Sequence, residues 1–242
     1  MTIANAVNYK TTITTVPLAQ AAVLLPVEGH ASKCPVGRVF CIGRNYPWST
    51  EDKLKPKEMP SWFMKPNSAV MFAKGLLPYP PLTNDFCHEV ELVACIGKGG
   101  TNIDSREAEE EHIWGYAVGL DLTRRDLQKL AKKEGAPWEP AKAFDFSAPC
   151  SAIVPAGVCK HPSDNEIWIK VNGQIKQKDV ISYLLFSVPE LVSMLSRYVT
   201  LRPGDLIFTG TPFGVDALNP HDVIDAGIEG IGEISMRIGD KT

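Results

Sequence analysis

Strand patterns outnumber helix patterns in this chain, turn signals are closely spaced, and two apolar runs, at 89–96 and 115–122, carry acidic residues from distant parts of the sequence. Together these predict an α+β fold that is mainly β, with a few short helices. With 242 residues and no repeat, low-complexity linker or composition break, the chain reads as one domain over 1–242 with ample core. Hydrophobic residues at 44% and charged residues at 22% are ordinary for a soluble globular protein. A net charge of −3 gives no electrostatic basis for binding nucleic acid or an anionic membrane. The start MTIANAVNYKTTITTV lacks a basic segment followed by an apolar one, and no run of about 18 apolar residues occurs, so a cytoplasmic protein is expected. Six cysteines without a CxxC or Cys/His cluster predict buried free thiols in a reducing compartment.

In chain order, residues 1–36 read as a short β-rich lead-in. Strands are expected at 11–16 and 21–25, separated by Pro17 and ended by Pro26 and Gly29, with His30 in an exposed loop. Residues 39–43 form a buried strand opening into the polar loop from Arg44 to Asp52, a common place for catalytic groups. Residues 62–66 read as a core strand ending at Pro66, and 78–82 as an extended connector. In HEVELVACIG, Glu89 and Glu91 are two residues apart and project from the same face of a strand. Two adjacent buried carboxylates repel and need a cation, although a solvated edge strand has the same spacing.

Asp104-x-x-Glu107 resembles a capping box, predicting a helix that ends before Gly115 and shows the acids from Glu107 to Glu111, with His112, to solvent. Asp121 ends the next apolar run, beside a helix expected to start at Thr123-x-x-Asp126 and to stop at Gly135 and Pro137. Leu127, Leu130 and Ala131 form its apolar stripe, and its first N–H groups would favour an ionised Asp121. Three carboxylates without a soft ligand would suit Mg²⁺ or Mn²⁺. The segment 137–145 holds too many prolines and aromatics for a helix, and places Lys142 in an apolar neighbourhood. Asn172-Gly173 predicts a type I′ hairpin between 167–171 and 174–178. Ser187-x-x-Glu190 caps a helix whose Leu191, Met194, Leu195 and Tyr198 read as core. A turn at Pro203-Gly204-Asp205 leads into a strand at 206–208 and a Thr-Gly-Thr-Pro loop able to present hydroxyls and N–H groups to a carboxylate. Ile234, Met236 and Ile238 alternate as a last half-buried strand.

HEVELVACIGK, GYAVGLDLTRRDLQ, AKAFDFSAPCSAIVP, VNGQIKQ and PGDLIFTGTPFGV, in that order, resemble the fumarylacetoacetate hydrolase family, and within it the small acylpyruvate hydrolase and oxaloacetate decarboxylase type. The resemblance implies a β-roll-like catalytic fold, commonly a homodimer. It also implies Mg²⁺ or Mn²⁺ held by Glu89, Glu91 and Asp121, with Lys142 stabilising developing negative charge. Arg44, Tyr46, Gln128 and Thr211 would position a small 2-oxo acid. The implied reaction is metal-dependent hydrolysis of an acylpyruvate, such as fumarylpyruvate or acetylpyruvate, to pyruvate and a carboxylic acid in aromatic catabolism. In the family the Asn-Tyr motif continues as NYxxHxxE, whose His–Glu pair activates water. Here Ser49 and Asp52 fall on those places, and Glu51 or Asp52 would be an unassisted base. Oxaloacetate decarboxylation or enol–keto isomerisation, which need no attacking water, are therefore alternatives. A catalytically degenerate protein that binds metal and a 2-oxo acid is another.

Overall fold

Near-continuous apolar runs in the central strands direct them into a sheet covered on both faces. The structure, a computed structural model, describes residues 21–47 and 58–241; the strand expected at 11–16, and with it Ser49, Glu51 and Asp52, lies outside them. β1 (Leu24–Val27) and β2 (His30–Pro35) form a hairpin. Pro26 does not end β1 but pairs within it opposite Lys33, which an edge ribbon tolerates because the missing N–H can face away from the ladder. His30 is exposed as expected, but it opens a strand and is not in a loop.

The chain continues through β3 (Val39–Gly43), β4 (Ser61–Lys65), β5 (Val70–Phe72), β6 (Lys74–Leu77), β7 (Phe86–Cys87), β8 (Val90–Ile96), α1 (Ser105–Glu107), β9 (Ile113–Leu120) and β10 (Thr123–Arg124). It then forms α2 (Arg125–Glu134), α3 (Glu139–Lys142), β11 (Ala148–Cys150), β12 (Val154–Pro155), α4 (Ala156–Cys159), β13 (Glu166–Val171) and β14 (Gln174–Val180). α5 (Val188–Tyr198), β15 (Leu206–Phe208), β16 (Val223–Ile228) and β17 (Gly232–Ile238) complete it. The main sheet runs β4-β3-β15-β8-β9-β11-β5, with β12 also on β9, and a second sheet runs β14-β13-β16-β17-β6. Most neighbours are antiparallel, but β3–β15, β5–β11 and β6–β17 are parallel, so the expected mainly β, mixed architecture is what forms.

β8 is buried throughout. Val90, Leu92, Ala94 and Ile96 enter the larger core, whereas Val93 and Cys95 face a smaller one with Val39, Cys41, Ala117, Leu206 and Phe208. Glu89 and Glu91 have the parity of Val93 and Cys95, so they continue that second face at the start of the strand. All six cysteines are free, with Cys34 and Cys159 only partly buried.

Several local expectations give way to tertiary packing. β4 is an edge strand with Met64 40% exposed, and its one fully buried residue is Lys65. The capping acceptor Asp104 does start α1, but a π-helical turn at Ala108–His112 carries the chain into β9 at Ile113, two residues early. Glu109, Glu110 and Glu111 are solvated, yet His112 is buried, with Nδ1 2.7 Å from the Lys98 carbonyl. Thr123 pairs with Cys87 in a strand, and α2 starts only at Arg125. Gln128 and Ala131, rather than Leu130, are its buried face, and Gly135 ends it with φ 65°. One helical turn, α3, does form, because Pro140 falls in its first turn where a missing N–H costs nothing. Leu191, Met194 and Leu195 are core, but Tyr198 is exposed and lies against Trp62. The type I′ hairpin forms, with φ 50° at Asn172 and 78° at Gly173. Among the described residues, no helix is long and apolar enough to cross a membrane.

Gly119 in β9 stands opposite Glu91, and a Cβ there would lie 2.5 Å from Val93 Cγ2 and 2.7 Å from Phe208 Cε1. Gly119→Ala is expected to cost about 1–3 kcal/mol by overpacking. An unchanged midpoint in thermal or urea unfolding would show that the strands part freely.

Candidate active site

The register of β8 against β9 assembles the acidic cluster. Val90 pairs with Leu120 and Glu91 with Gly119, and the Asp121 N–H donates to the Glu89 carbonyl at 2.9 Å, extending the ladder by one step. Asp121 therefore lies across from Glu89 on the face that also carries Glu91. The three side chains are buried, and each offers an oxygen within 4.8 Å of the others.

Three basic side chains from three elements meet them. Lys142 Nζ, at the end of α3, donates to Glu89 Oε2 and Asp121 Oδ2, both at 2.7 Å. Lys65 Nζ, at the end of β4, lies 2.9 Å from Asp121 Oδ1 and donates to the backbone carbonyls of Lys142 at 2.5 Å and Leu122 at 3.1 Å. Arg125, opening α2, donates to Glu89 Oε1 at 2.5 Å and to Gln128 Oε1 at 2.6 Å. Burial pushes the Lys142 ammonium down, but Asp121 and Glu89 outweigh it and hold it above the usual lysine range. Burial likewise pushes Asp121 up, and Lys142 and Lys65 more than reverse this, leaving it below the usual carboxylate range. The expected support from helix N–H groups is not what ionises it: α2 starts too late, and the lysines do this instead.

Glu91 is different. Its Oε2 accepts from the Gly210 N–H at 2.8 Å, and no basic side chain among the described residues bonds it. Burial, then Asp121 and Glu89, raise its pKa well above the ordinary value. A buried carboxylate lacking its own cation, beside two more and with no thiolate or imidazole in the set, fits a hard divalent ion such as Mg²⁺ or Mn²⁺.

The cluster lies in a cavity of about 560 Å³ that is also lined by Arg44, Tyr46, Gln128 and Thr211, so all four residues expected to position a substrate are brought to it. Asp52 and Glu51 lie outside the described residues. Arg44 is exposed at a left-handed φ of 62°, while Tyr46 is buried, its hydroxyl 3.5 Å from the Val180 carbonyl. Between them Asn45 donates to the Phe186 and Thr209 carbonyls at 2.9 and 2.8 Å, tying the loop after β3 to the loop after β15. The Thr-Gly-Thr-Pro loop gives its Gly210 N–H to the protein's own Glu91, and the Thr211 hydroxyl bonds the Val90 carbonyl at 2.8 Å. The sequence reading missed Lys65 and Arg125. Their signals were weak: a lysine at the end of the apolar run WFMK, and a basic pair directly after the Asp121 strand.

Residues 38–239 match the family model described as fumarylacetoacetate (FAA) hydrolase C-terminal. The chain is 42% identical over 186 residues to the fumarylpyruvate hydrolase of Ralstonia sp, covering 76% of this chain and 95% of that one. It is 39% identical over 200 residues to the oxaloacetate tautomerase FAHD1, mitochondrial, of Mus musculus, covering 82% and 89%. The crystal structure of fumarylpyruvate hydrolase from Pseudomonas aeruginosa in complex with Mn²⁺ and pyruvate is similar with a TM-score of 0.88 at 44% identity, covering 93% of this chain and 99% of that one.

Lys65→Met would leave Asp121 with a single cation in a buried site. It is expected to cost about 3–5 kcal/mol in urea unfolding with EDTA present, as breaking a buried pair does. Lys98→Met, whose carboxylate partners are exposed, is the control that should change little; equal effects of the two would mean that the Lys65 charge is not needed.

Proposed function

The chain belongs to the fumarylacetoacetate hydrolase family, and from that premise we propose that it is a divalent-metal-dependent enzyme that hydrolyses the carbon–carbon bond of a small acylpyruvate, fumarylpyruvate being the type, to pyruvate and a carboxylic acid. The observation that carries this is the convergence of three buried carboxylates, one without its own counter-charge, at a cavity lined by basic residues. A bound Mg²⁺ or Mn²⁺ on Glu89, Glu91 and Asp121 would supply Lewis acidity toward the 2-oxo carboxylate and toward the charge that develops as pyruvate leaves.

Lys142, held protonated by two carboxylates, acts as a fixed positive charge and donor near that developing charge, not as a base. Arg125 holds Glu89 and occupies Gln128 Oε1, which leaves the Gln128 amide hydrogens to donate to a substrate oxygen. Arg44 and Lys132 line the same cavity without an ion pair among the described residues, and would meet the distal carboxylate of a dicarboxylic substrate. Glu51 or Asp52 is the base that activates water. The family resemblance further supports a cytoplasmic homodimer serving aromatic catabolism, with Mg²⁺ as the resident ion.

Ser49 favours a second reading, because a serine hydroxyl does not accept a proton near neutral pH as an imidazole does. Enol–keto isomerisation or decarboxylation of oxaloacetate uses the same charge stabilisation without an attacking water, in keeping with the tautomerase relative.

The test is pyruvate release from fumarylpyruvate, acetylpyruvate and oxaloacetate, together with the ultraviolet absorbance of enol-oxaloacetate, with Mg²⁺ or Mn²⁺, with EDTA, and with Glu91→Ala as blank. Acylpyruvate turnover lost in EDTA and in Glu91→Ala is expected, with Lys142→Met lowering kcat by about 10²–10³-fold. Mutating the true base among Glu51 and Asp52 should cost about 10²–10⁴-fold. Saturating Mn²⁺, at about 100 times its Kd, should add about 2.7 kcal/mol of stability that Glu91→Ala removes. Tautomerisation or decarboxylation of oxaloacetate alone would replace the hydrolase reading with the second one, and absence of both turnover and metal stabilisation would overturn the two together.

A further inference from the structure

Behind the cavity wall, Gln177 of β14 is buried, and both ends of its amide are engaged. Oε1 lies 3.2 Å from the Val90 nitrogen and 3.0 Å from His88 Nδ1, and Nε2 lies 2.8 Å from Thr211 Oγ1 and 2.6 Å from the Pro212 carbonyl. Two of these partners are backbone groups of fixed polarity. The Val90 N–H only donates, so the amide oxygen must face it; the Pro212 carbonyl only accepts, so the amide nitrogen must face it. A flipped amide would set like against like at both ends. His88 Nδ1 accordingly carries a proton, and Nε2 of Gln177 donates to Thr211 Oγ1.

The Thr211 hydroxyl is thereby determined as well. It also lies 2.8 Å from the Val90 carbonyl, an acceptor, and gives its single proton there. A hydroxyl has one proton and two lone pairs. With the proton on Val90 and one lone pair on Gln177, the Thr211 hydroxyl has only a lone pair left, at a residue that lines the cavity. A carboxylate or keto oxygen placed against that lone pair finds no donor. A hydroxyl on the ligand does find an acceptor.

We propose that Gln177 is a positioning residue that fixes the Thr211 hydroxyl as an acceptor toward the cavity, so that the site prefers a 2-oxo acid in its hydroxyl-bearing enol form over its keto form. This deepens the 2-oxo-acid reading above and rests on it. It also changes the part expected of Thr211, from donor to a carboxylate to acceptor from an enol. Gln177 acts through Thr211 and does not itself line the cavity.

The experiment is calorimetric binding of lactate and pyruvate, a matched pair with a hydroxyl or a carbonyl at C2, to the Mn²⁺-loaded full chain. Comparing the lactate-to-pyruvate affinity ratio between variants cancels the metal's own preference. Thr211→Val, which keeps shape and removes the acceptor, should lower the ratio by about 3–10-fold, the size of one hydrogen bond, while Thr211→Ser preserves it. Gln177→Leu should lower the ratio similarly, and the double variant should fall no further than either single, because both act on one hydroxyl. A purely structural role for Gln177 would weaken both ligands together and leave the ratio alone, which would overturn the proposal. If pyruvate binds and Thr211→Val leaves the ratio unchanged, the proposal falls while the 2-oxo-acid reading stands. If neither ligand binds the loaded protein, that reading falls and takes the proposal with it.

Discussion

Burying three carboxylates within 4.8 Å of one another is electrostatically costly, and the elements around them are placed so as to offset that cost. The compensating charges come from an edge strand, a single helical turn and the start of a longer helix, in the form of Lys65, Lys142 and Arg125. Lys65 has a double part, since its ammonium pairs with Asp121 and also holds the backbone carbonyl of Lys142, fixing the next cation in turn. β4 is a half-exposed edge strand whose Trp62 and Phe63 only flank the two cores, while its last residue, Lys65, is the one that reaches the interior. The same need for charge explains a one-turn helix at Glu139–Lys142 in a segment rich in prolines and aromatics, which delivers Lys142 between Glu89 and Asp121. Removing one partner of a buried ion pair leaves the other charge uncompensated, so the geometry around Glu89 and Asp121 and the stability of the fold are coupled.

Features with a local cause were legible in the sequence. The period of two placed Glu89 and Glu91 on one face, the Asn172-Gly173 hairpin followed from its positive φ requirement, and the capping box at Ser187 and Glu190 formed as its spacing implied. The acidic set was legible because consecutive antiparallel strands place residues at their adjoining ends across from each other. Of its cations, Lys142 was reached through the family resemblance, but Lys65 and Arg125 were not, because nothing local distinguishes the buried Lys65 and the half-buried Arg125 from solvated Lys and Arg until distant carboxylates meet them. His112, Gln128 and Tyr198 make the same point. Polar His112 and Gln128 are buried and aromatic Tyr198 is exposed: His112 meets the Lys98 carbonyl, Gln128 lies at the cavity and meets Arg125, and Tyr198 ends α5 against Trp62. Gln177 sat in a motif that carried family resemblance without suggesting what its amide does.

The loop after β15 shows how backbone polarity can define a site. Gly210 has φ 102°, and a Cβ there would stand 2.9 Å from Asn45 Cβ, so the close approach of the two loops needs glycine. Its N–H goes to Glu91, the Thr209 carbonyl goes to Asn45, and the Pro212 carbonyl goes to Gln177. With each of these groups engaged, the loop has little freedom to reorient toward a ligand. Such preorganisation lets a polar group discriminate between ligand forms, since the cost of turning it is borne in folding rather than in binding.

The formal charge of the cluster limits what it can accept. Glu89, Glu91 and Asp121 are matched in number by Lys65, Lys142 and Arg125, so side chains alone approach neutrality when all are ionised. A divalent cation added there introduces two positive charges into a mostly buried site, and burial makes that excess costly unless anions follow. A monocarboxylate returns one charge. A 2-oxo acid that also develops an enolate, or carries a distal carboxylate, returns two. The basic residues at the cavity point the same way, because Arg44 and Lys132 have no ion-pair partner among the described residues. Metal and substrate would therefore be linked by charge: a bound ion would make the cavity favourable for a dianion, and the dianion would make the buried ion favourable in return.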